Sequence, residues 1–255
     1  MQNLHKHLQH TELITNFAVV KDSKSTINPP TMSLGTTANL RKNGILLAYI
    51  AGKIPGIHLR KLLKVVYLID ERFMAMRGFP LTWFDYYAWA KGPVAPEVYA
   101  IKEGAFADFV SSKHDSNGKR TVNPAVKVSL ADSESPFSNS EISEIDRMLN
   151  VFKGMTADEL SDITHIPTSP WSRVVAGNHL TFDETSGKSD CPIPLTMLFA
   201  ADDPRQKTYD DAKWEMELQA RLNASRKPGR HIRLEIVSPS EREQLQNPAY
   251  TPVIP

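Results

Sequence analysis

Apolar side chains recur along residues 59–76 with the spacing of one helix face. The six residues at these positions are Leu59, Leu62, Val66, Ile69, Phe73 and Met76. Their steps of three and four residues place all six on one stripe of an α-helix. Gly78 follows this stripe, and glycine readily adopts the left-handed conformation that ends helices. The pattern therefore predicts a helix that buries this stripe and ends at Gly78.

Helix-start motifs predict three further helices downstream. Ser138-x-x-Glu141 and Thr156-x-x-Glu159 each place a hydroxyl three residues before a glutamate, which is the spacing of a capping box. Ser169 can cap the third helix, because the proline after it is tolerated at the first helical position. We expect the third helix to end near residue 177.

Three other helices are predicted from less regular patterns. Thr37 is a candidate N-cap for a helix over about 38–54. A short helix is expected between Pro96, in its first turn, and Gly104, past its end. The segment 206–224 is predicted to be helical with a mixed face.

Residues 82–90, TWFDYYAWA, have the aromatic content and the alternation of a strand. The face expected to pack in the core holds Phe84, Tyr86, Ala88 and Ala90. The opposite face holds Trp83, Tyr87, Trp89 and Lys91. A Gly-Pro turn at residues 92–93 is expected to follow the strand, and Pro96 then starts a helix.

The remaining patterns complete a fold class and a division of the chain. Residues 122–130 and 231–237 read as short strands, and the Ser, Thr, Pro and Gly content of 22–37 is typical of a linker. The sequence predicts an α+β fold, a predominantly helical single domain with a small antiparallel sheet. We expect an N-terminal extension or linker over 1–37, whose order stays open, a main domain over 38–200, and a helix–strand extension over 201–255.

Composition narrows the class of protein. Hydrophobic residues make up 41% of the chain, charged residues 23%, and the formal net charge is +1, which is ordinary for a soluble globular protein. Cys191 is the only cysteine, so neither an intramolecular disulfide nor a multi-cysteine zinc site can form. There is no apolar run of about 18 residues and no secretory leader pattern. We expect a cytoplasmic protein that is not bound to a membrane.

The residues that could carry catalysis do not form a recognised motif. Ser169 and His165 lie near Asp162 in the sequence, but there is no nucleophile elbow, and Ser169 is expected to cap a helix. Asp70 and Glu71 are adjacent on a helix and point in different directions, so a surface or local hydrogen-bonding role is expected. Phosphate-binding glycine motifs are missing. We predict no enzyme, no catalytic residue and no cofactor.

Two clusters of side chains are candidates for a metal site and for a phosphate-binding site. The N-terminal His5, His7 and His10 lack further ligands nearby, so no metal site is predicted. A run without acidic residues contains Arg221, Arg226, Lys227, Arg230, His231 and Arg233. It could contact phosphates through Arg226, Lys227 and Arg230, but a solvated surface is the favoured interpretation, and nucleic acid is expected at most through a partner.

The outward face of the aromatic strand is the strongest candidate for a protein interface. Trp and Tyr are enriched as anchors of protein–protein interfaces, although they also dominate cores. We therefore assign partner binding to Tyr87, Trp89 and Lys91, with Trp171 supporting them. For Trp89 itself, core packing and partner contact stay open alternatives.

A longer series of residues resembles a known family. The series begins with Lys61-Leu62-Leu63-x-x-x-Tyr67-Leu68 and Gly78-x-Pro80-Leu81, and continues as Ala88-Trp89-x-x-Gly92-Pro93-Val94-x-Pro96-x-Val98-Tyr99. Leu160-Ser161-x-x-Thr164-His165 and Ser169-Pro170-Trp171 follow. Over about 38–177 the chain resembles the Panacea domain of SocA-like antitoxins and phage-associated GepA-like proteins. The departures are Lys64-Val65-Val66, where the family more often continues with Leu-Tyr, and the flanks, which the resemblance does not cover.

The resemblance implies a non-catalytic antitoxin of a bacterial or phage toxin–antitoxin system. Such a protein neutralises a cognate toxin by direct binding; the alternatives are an adaptor that delivers the toxin to an AAA+ protease, and a DNA-binding autoregulator that uses the 221–233 run. Self-association stays open. The motif residues expected to be structural are Lys61, Leu62, Gly92, Pro93, Val94, Pro96 and Tyr99.

Overall fold

The computed structural model describes residues 33–131, 135–182 and 187–225. The α-helices are α1 (Leu34–Thr37), α2 (Leu40–Lys53), α3 (Leu59–Arg77), α4 (Pro96–Tyr99), α5 (Asn139–Phe152), α6 (Ala157–Thr164), α7 (Pro170–Gly177) and α8 (Arg205–Ser225). The strands are β1 (Tyr87–Trp89), β2 (Gly92–Val94), β3 (Val110–His114) and β4 (Arg120–Pro124). Short 3₁₀ helices cover Ala100–Glu103 and Leu195–Leu198. The predicted α+β class, mostly helical with small antiparallel sheets, is confirmed.

Helix α3 runs through the centre of the core. Its predicted stripe is buried from Leu59 to Phe73, but Met76 is 49% exposed, because the helix is nearly at its end there. Gly78 ends the helix with φ 88° in the left-handed region, as predicted. The segment Leu62–Ile69 is buried on every side of the helix, so neighbouring elements surround this part of α3.

The start of the described chain differs from the prediction. Thr37 does not cap a helix: it is the last residue of α1, and its hydroxyl donates back to the Ser33 carbonyl at 2.9 Å. Helix α2 begins only at Leu40. Residues 34–37 are therefore helical rather than part of a linker, and the Asn43 amide holds them by donating to Gly35 O at 2.7 Å and Thr82 O at 2.8 Å.

The first hairpin is shorter than the predicted strand 82–90. Strands β1 and β2 pair antiparallel with Tyr87 opposite Val94 and Trp89 opposite Gly92, so the turn is Ala90-Lys91 and not Gly-Pro. Pro93 lies opposite Ala88, in a position that does not exchange hydrogen bonds across a two-residue hairpin. Its missing N–H therefore costs the strand nothing.

The predicted inward face of the aromatic segment is confirmed for three residues, and the outward face is wrong for one. Phe84, Tyr86 and Ala88 are buried, and Ala90 is partly buried. Trp83, which was expected to face outward, is also buried. Its backbone adopts φ 60°, which breaks the alternation before β1 begins.

The second hairpin is displaced from the predicted strand 122–130. Strands β3 and β4 pair from Val110 opposite Pro124 to His114 opposite Arg120. The Asp115 carboxylate fixes their turn by accepting from the amides of Asn117 and Lys119. Beyond Pro124 the chain leaves the sheet, and Val126 is 40% exposed.

Both predicted capping boxes are confirmed. Ser138 and Glu141 exchange hydrogen bonds at the start of α5, and Thr156 and Glu159 do so at the start of α6. Ser169 caps α7 by accepting from the Ser172 amide at 3.1 Å. These caps fix α5, α6 and α7, of which α6 and α7 lie beside the first hairpin.

Helix α8 packs on the rest of the described chain. Its Tyr209 ring stacks 5.6 Å from the Trp83 ring, and Arg205 donates to the Ala75 carbonyl at 2.6 Å. Trp214, Leu218 and Leu222 of α8 are exposed, with Trp214 64% exposed. The predicted strand 231–237 lies outside the described residues, and the division of the chain at residue 200 stays a prediction.

Candidate functional site

The structure brings together the four residues assigned to partner binding. Tyr87 and Trp89 on β1 and Trp171 on α7 are half-buried, and Lys91 in the turn is exposed. The Trp171 indole N–H donates to the Trp89 carbonyl at 2.9 Å. We call Tyr87, Trp89, Lys91 and Trp171 the aromatic turn surface.

Lysine side chains border the Trp89 end of the aromatic turn surface. The rings of Trp89 and Tyr99 meet edge to face at 4.9 Å. The Lys188 ammonium lies 4.9 Å from the Trp89 ring and 5.2 Å from the Tyr99 ring, and that of Lys102 lies 4.2 Å from the Tyr99 ring. A cation over the face of an aromatic ring is attracted to it. This end of the surface therefore combines apolar rings with bound positive charge.

Carboxylates border the Tyr87 end of the same surface. Burial raises the pKa of the Tyr87 hydroxyl, and the negative charges of Asp85, Glu97 and Asp190 raise it further. The two ends of the aromatic turn surface, which are two residues apart on β1, therefore differ in charge. Such a division favours one orientation of a bound protein.

Two helices hold the backbone of this hairpin by side-chain hydrogen bonds. The Trp89 carbonyl accepts from Trp171 of α7, and the Pro93 carbonyl accepts from Lys64 of α3 at 3.0 Å. The Ser161 hydroxyl of α6 lies 3.4 Å from the Lys91 carbonyl but donates its proton to the Ala157 carbonyl at 2.8 Å. The aromatic turn surface is preorganised by these contacts.

Lys64 is the unusual member of this set. It lies on α3 with 1% of its surface exposed, and no carboxylate pairs with it in the described residues. Burial lowers the pKa of the Lys64 ammonium to about 7, and the nearby charge of Arg60 contributes. An isolated buried charge is costly, so the amine exists in both protonation states near neutral pH.

Gly92 allows the hairpin to lie directly on Lys64. The φ of Gly92 is 102°, in the left-handed region. A Cβ at this position would lie 2.5 Å from Lys64 Nζ, 2.9 Å from His165 Nε2 and 3.0 Å from Thr164 Oγ1. Glycine is therefore required here for both backbone conformation and space.

His165 connects this buried group to the surface. Its ring stacks on the Trp171 ring with centroids 3.8 Å apart. Its Nε2 is buried and has no hydrogen-bond partner in the structure. Burial lowers the pKa of the His165 imidazole, the charges of Lys64 and Lys91 lower it further, and Asp162 opposes them.

The catalytic candidates Asp70, His165 and Ser169 do not form a catalytic site. Among the described residues no hydrogen bond joins Asp70, His165 and Ser169. The Ser169 hydroxyl donates to the Thr164 carbonyl at 2.7 Å and accepts from the α7 amide. This arrangement gives Ser169 a capping role and no base to activate it.

Asp70 is a fully buried carboxylate, so the expected surface role is wrong and the expected hydrogen-bonding role is confirmed. Its Oδ1 accepts from the amides of Leu81 and Thr82 at 2.8 Å each, and its Oδ2 accepts from the hydroxyls of Thr82 and Tyr86. Burial raises the pKa of the Asp70 carboxyl, and these four hydrogen bonds oppose the increase. Asp70 thereby ties the chain after α3 back to the helix.

The family-motif residues occupy different environments. Leu62, Gly92, Pro93 and Val94 are buried, Tyr99 is half-buried, and Pro96 is exposed at the first position of α4. Lys61 is only partly buried, and its ammonium donates to the Lys153 carbonyl at 3.1 Å near the surface. Of the two α3 lysines, Lys64 and not Lys61 hydrogen-bonds to the hairpin.

The other predicted sites lie elsewhere. The basic residues Arg226, Lys227 and Arg230 and the histidines His5, His7 and His10 lie outside the described residues. Within residues 33–131, 135–182 and 187–225, no group of three His, Cys, Asp or Glu side chains could hold a metal ion. No helix in that part of the chain has both the length and the apolar character needed to cross a membrane.

Comparison with known proteins gives one finding. Residues 62–172, a little under half of the chain, match the family model described as "Antitoxin SocA-like, Panacea domain". Searches of curated proteins and of solved structures gave no match. The matched segment begins two residues before Lys64 on α3 and ends one residue after Trp171 on α7, so it contains the whole aromatic turn surface.

Proposed function

We propose, on the match of residues 62–172 to the SocA-like antitoxin Panacea domain model, that the chain neutralises a cognate toxin protein by binding it directly. The aromatic turn surface is the interface, and it covers an active or substrate-binding surface of the toxin. The protein acts by occlusion and performs no chemistry on its partner. Its partner is a protein rather than a nucleic acid.

The observation that carries this proposal is the fixed position of half-buried aromatic side chains. Trp89 and Trp171 are linked by the 2.9 Å hydrogen bond, and the hairpin that bears Trp89 is held by side-chain hydrogen bonds from α3 and α7. Aromatic anchors that are rigid before binding lose little conformational entropy when a partner docks. Interface energy is concentrated in such residues.

The charges around the surface describe the partner that would fit. Lys91 and Lys188 lie at the Trp89 end, whereas Asp85, Glu97 and Asp190 act on Tyr87. A complementary toxin surface carries carboxylates opposite Trp89 and a cation opposite Tyr87. This complementarity would steer association and make it sensitive to ionic strength.

The test is rescue of growth from the toxin encoded beside this chain, with affinity measured by calorimetry. Tyr87→Ala and Lys91→Glu change exposed or half-buried atoms, so we expect both variants to fold and to weaken binding by roughly tenfold or more. Trp214→Ala is the matched control, because it removes an exposed aromatic side chain of α8 that is not part of the aromatic turn surface. We expect it to bind like the wild type.

The result also discriminates between surfaces. Loss of binding in Trp214→Ala with full binding in Tyr87→Ala and Lys91→Glu would place the interface on α8 and overturn the assignment. Full rescue by every variant with unchanged affinity would exclude both surfaces.

A further inference from the structure

Lys64 has more hydrogen-bonding capacity than its surroundings use. An ammonium group has three donors, and the structure gives Lys64 Nζ one acceptor, the Pro93 carbonyl. The neighbours at the Gly92 contact are Thr164 Oγ1, which already donates to the Ser161 carbonyl at 2.8 Å, and His165 Nε2. Buried polar groups are normally satisfied, so this under-used amine requires an explanation.

His165 Nε2 is the complementary atom. It is buried without a partner, and it approaches the same point at Gly92 as Lys64 Nζ, within 2.9 Å and 2.5 Å of the position that a Cβ would take. A neutral imidazole nitrogen can accept from an ammonium, or donate to a neutral amine, depending on the tautomer. The two nitrogens form no hydrogen bond with each other in the structure, but the positive charge of Lys64 disfavours a second positive charge on His165.

We propose that Lys64 and His165 are positioning residues that make the geometry of the aromatic turn surface depend on protonation. Lys64 acts on β2 through the Pro93 carbonyl, and His165 acts on α7 through its stack on Trp171. The protonation states of these two residues determine how strongly the two sides of the hairpin are held. The effect on toxin affinity rests on the proposed function, but the conformational effect does not.

The charges that face Lys64 and His165 determine in which direction pH changes their protonation. From α3, Arg60 disfavours a charge on Lys64; from the hairpin, Lys91 disfavours a charge on His165, and from α6, Asp162 favours one. β2 contributes the Pro93 carbonyl, and α7 contributes the Trp171 ring and no charge to this contact. Below neutral pH Lys64 is charged and grips Pro93 most strongly; as pH rises through about 7 it loses its proton and the grip weakens.

Glu71 is the group that could imitate this behaviour. It lies on α3, seven residues after Lys64, and burial raises the pKa of its carboxyl to about 7. The experiment must therefore remove Lys64 and Glu71 separately.

The experiment follows the four tryptophan indole N–H resonances of the isolated chain by NMR between pH 5.5 and 8.5. In the wild type we expect the Trp171 resonance to shift with a midpoint near pH 7, because its acceptor Trp89 lies on the hairpin that Lys64 holds. Trp83 and Trp214 lie in other contacts and serve as internal controls for folding. No toxin is needed, so failure of this test is separate from failure of the proposed function.

Three variants assign the titration. In Lys64→Met, which keeps the volume and removes the amine, we expect the Trp171 midpoint near pH 7 to disappear while the Trp83 and Trp214 resonances stay in place. In Glu71→Gln it should persist. In His165→Phe, which keeps a stacked ring, the Trp171 resonance should still titrate through Lys64 but with a smaller shift.

Three outcomes would overturn the proposal. The first is a Trp171 resonance that is constant across the pH range. The second is a midpoint that survives in Lys64→Met, and the third is one that vanishes in Glu71→Gln. If Lys64→Met fails to fold, Pro93 carbonyl ¹³C shifts of the wild type report the same contact, and their independence of pH would count against the proposal equally.

Discussion

Helix α3 carries two buried charged residues that fasten later parts of the chain in opposite ways. Asp70 uses both carboxylate oxygens and accepts four hydrogen bonds from residues 81–86. Lys64, nearly two turns earlier, makes one hydrogen bond to the first hairpin and lies beside an imidazole nitrogen with no partner. Both are at most 1% exposed.

Asp70 and Lys64 are equally buried, but they differ in how much of their hydrogen-bonding capacity is used. A buried polar network that is fully satisfied rigidifies a core, whereas an incompletely satisfied one is costly and easily altered. Asp70 therefore belongs to the stable body of the domain, and Lys64 belongs to the hairpin that carries the proposed interface. Functional sites are where such local costs are usually found.

The largest expected effect tests the satisfied network. Asp70→Ala would leave the amides of Leu81 and Thr82 and the hydroxyls of Thr82 and Tyr86 buried without their acceptor. Each orphaned buried group costs about 1–3 kcal/mol, and partial relaxation reduces the sum. We expect the free energy of unfolding in urea to fall by about 3–5 kcal/mol.

Asp158→Ala is the matched control for Asp70→Ala. This variant also removes an aspartate carboxylate, but the Asp158 side chain is 84% exposed and paired with Arg60. Exposed ion pairs contribute little, so we expect a much smaller loss. Equal losses in the two variants would mean that the hydrogen bonds of Asp70 do not stabilise the fold.

Much of the fold could be predicted from the sequence because its signals are local. The two capping boxes and the glycine that ends α3 depend on spacing within a few residues, and all three are present in the structure. The strand at 82–90 was wrong in extent because Trp83 turns with φ 60° to pack under Tyr209. That contact spans 126 residues, and no local pattern encodes it.

Of the candidate site, the sequence predicted the surface residues and not the buried lysine beneath them. The alternation of TWFDYYAWA indicated Tyr87, Trp89 and Lys91, and whether they bind a toxin stays a prediction. The buried Lys64 was missed, although the segment Leu62–Ile69 is apolar around the whole helix apart from this lysine. A helix that is apolar on all sides is buried on all sides, so a lysine within it must be buried too.

A second expected effect tests why the hairpin can lie so close to Lys64. Gly92→Ala would put a methyl 2.5 Å from Lys64 Nζ in a backbone at φ 102°. Left-handed strain costs about 1–2 kcal/mol, and overpacking adds about 1–3 kcal/mol. We expect a loss of about 2–4 kcal/mol in the free energy of unfolding.

Gly104→Ala separates strain from crowding in that measurement. Gly104 has φ 98°, and a Cβ there would meet nothing within 4 Å. We expect it to show the strain alone, so that the difference between the two variants measures the crowding against Lys64. If Gly104→Ala costs as much as Gly92→Ala, the close packing over Lys64 has no energetic consequence.

The smallest expected effect concerns the pH dependence of stability that Lys64 introduces. Its pKa is about 7 in the folded chain, against an ordinary value of 10.5. Between these values the unfolded chain holds a proton that the folded chain does not, so stability rises with pH. Relative to Lys64→Met, the wild type should gain about 2 kcal/mol from pH 7 to pH 9, since each unit of proton affinity is worth about 1.4 kcal/mol.

Urea unfolding of both chains at the two pH values measures this gain, and the difference between them cancels the titration of groups that the Lys64 charge does not affect. Lys91→Met controls for loss of a lysine from the same hairpin, because Lys91 is exposed whereas Lys64 is buried. A constant gap between wild type and Lys64→Met would mean that Lys64 keeps its proton throughout. The under-satisfied network would then be as fixed in charge as that of Asp70, and only the number of hydrogen bonds would distinguish the two.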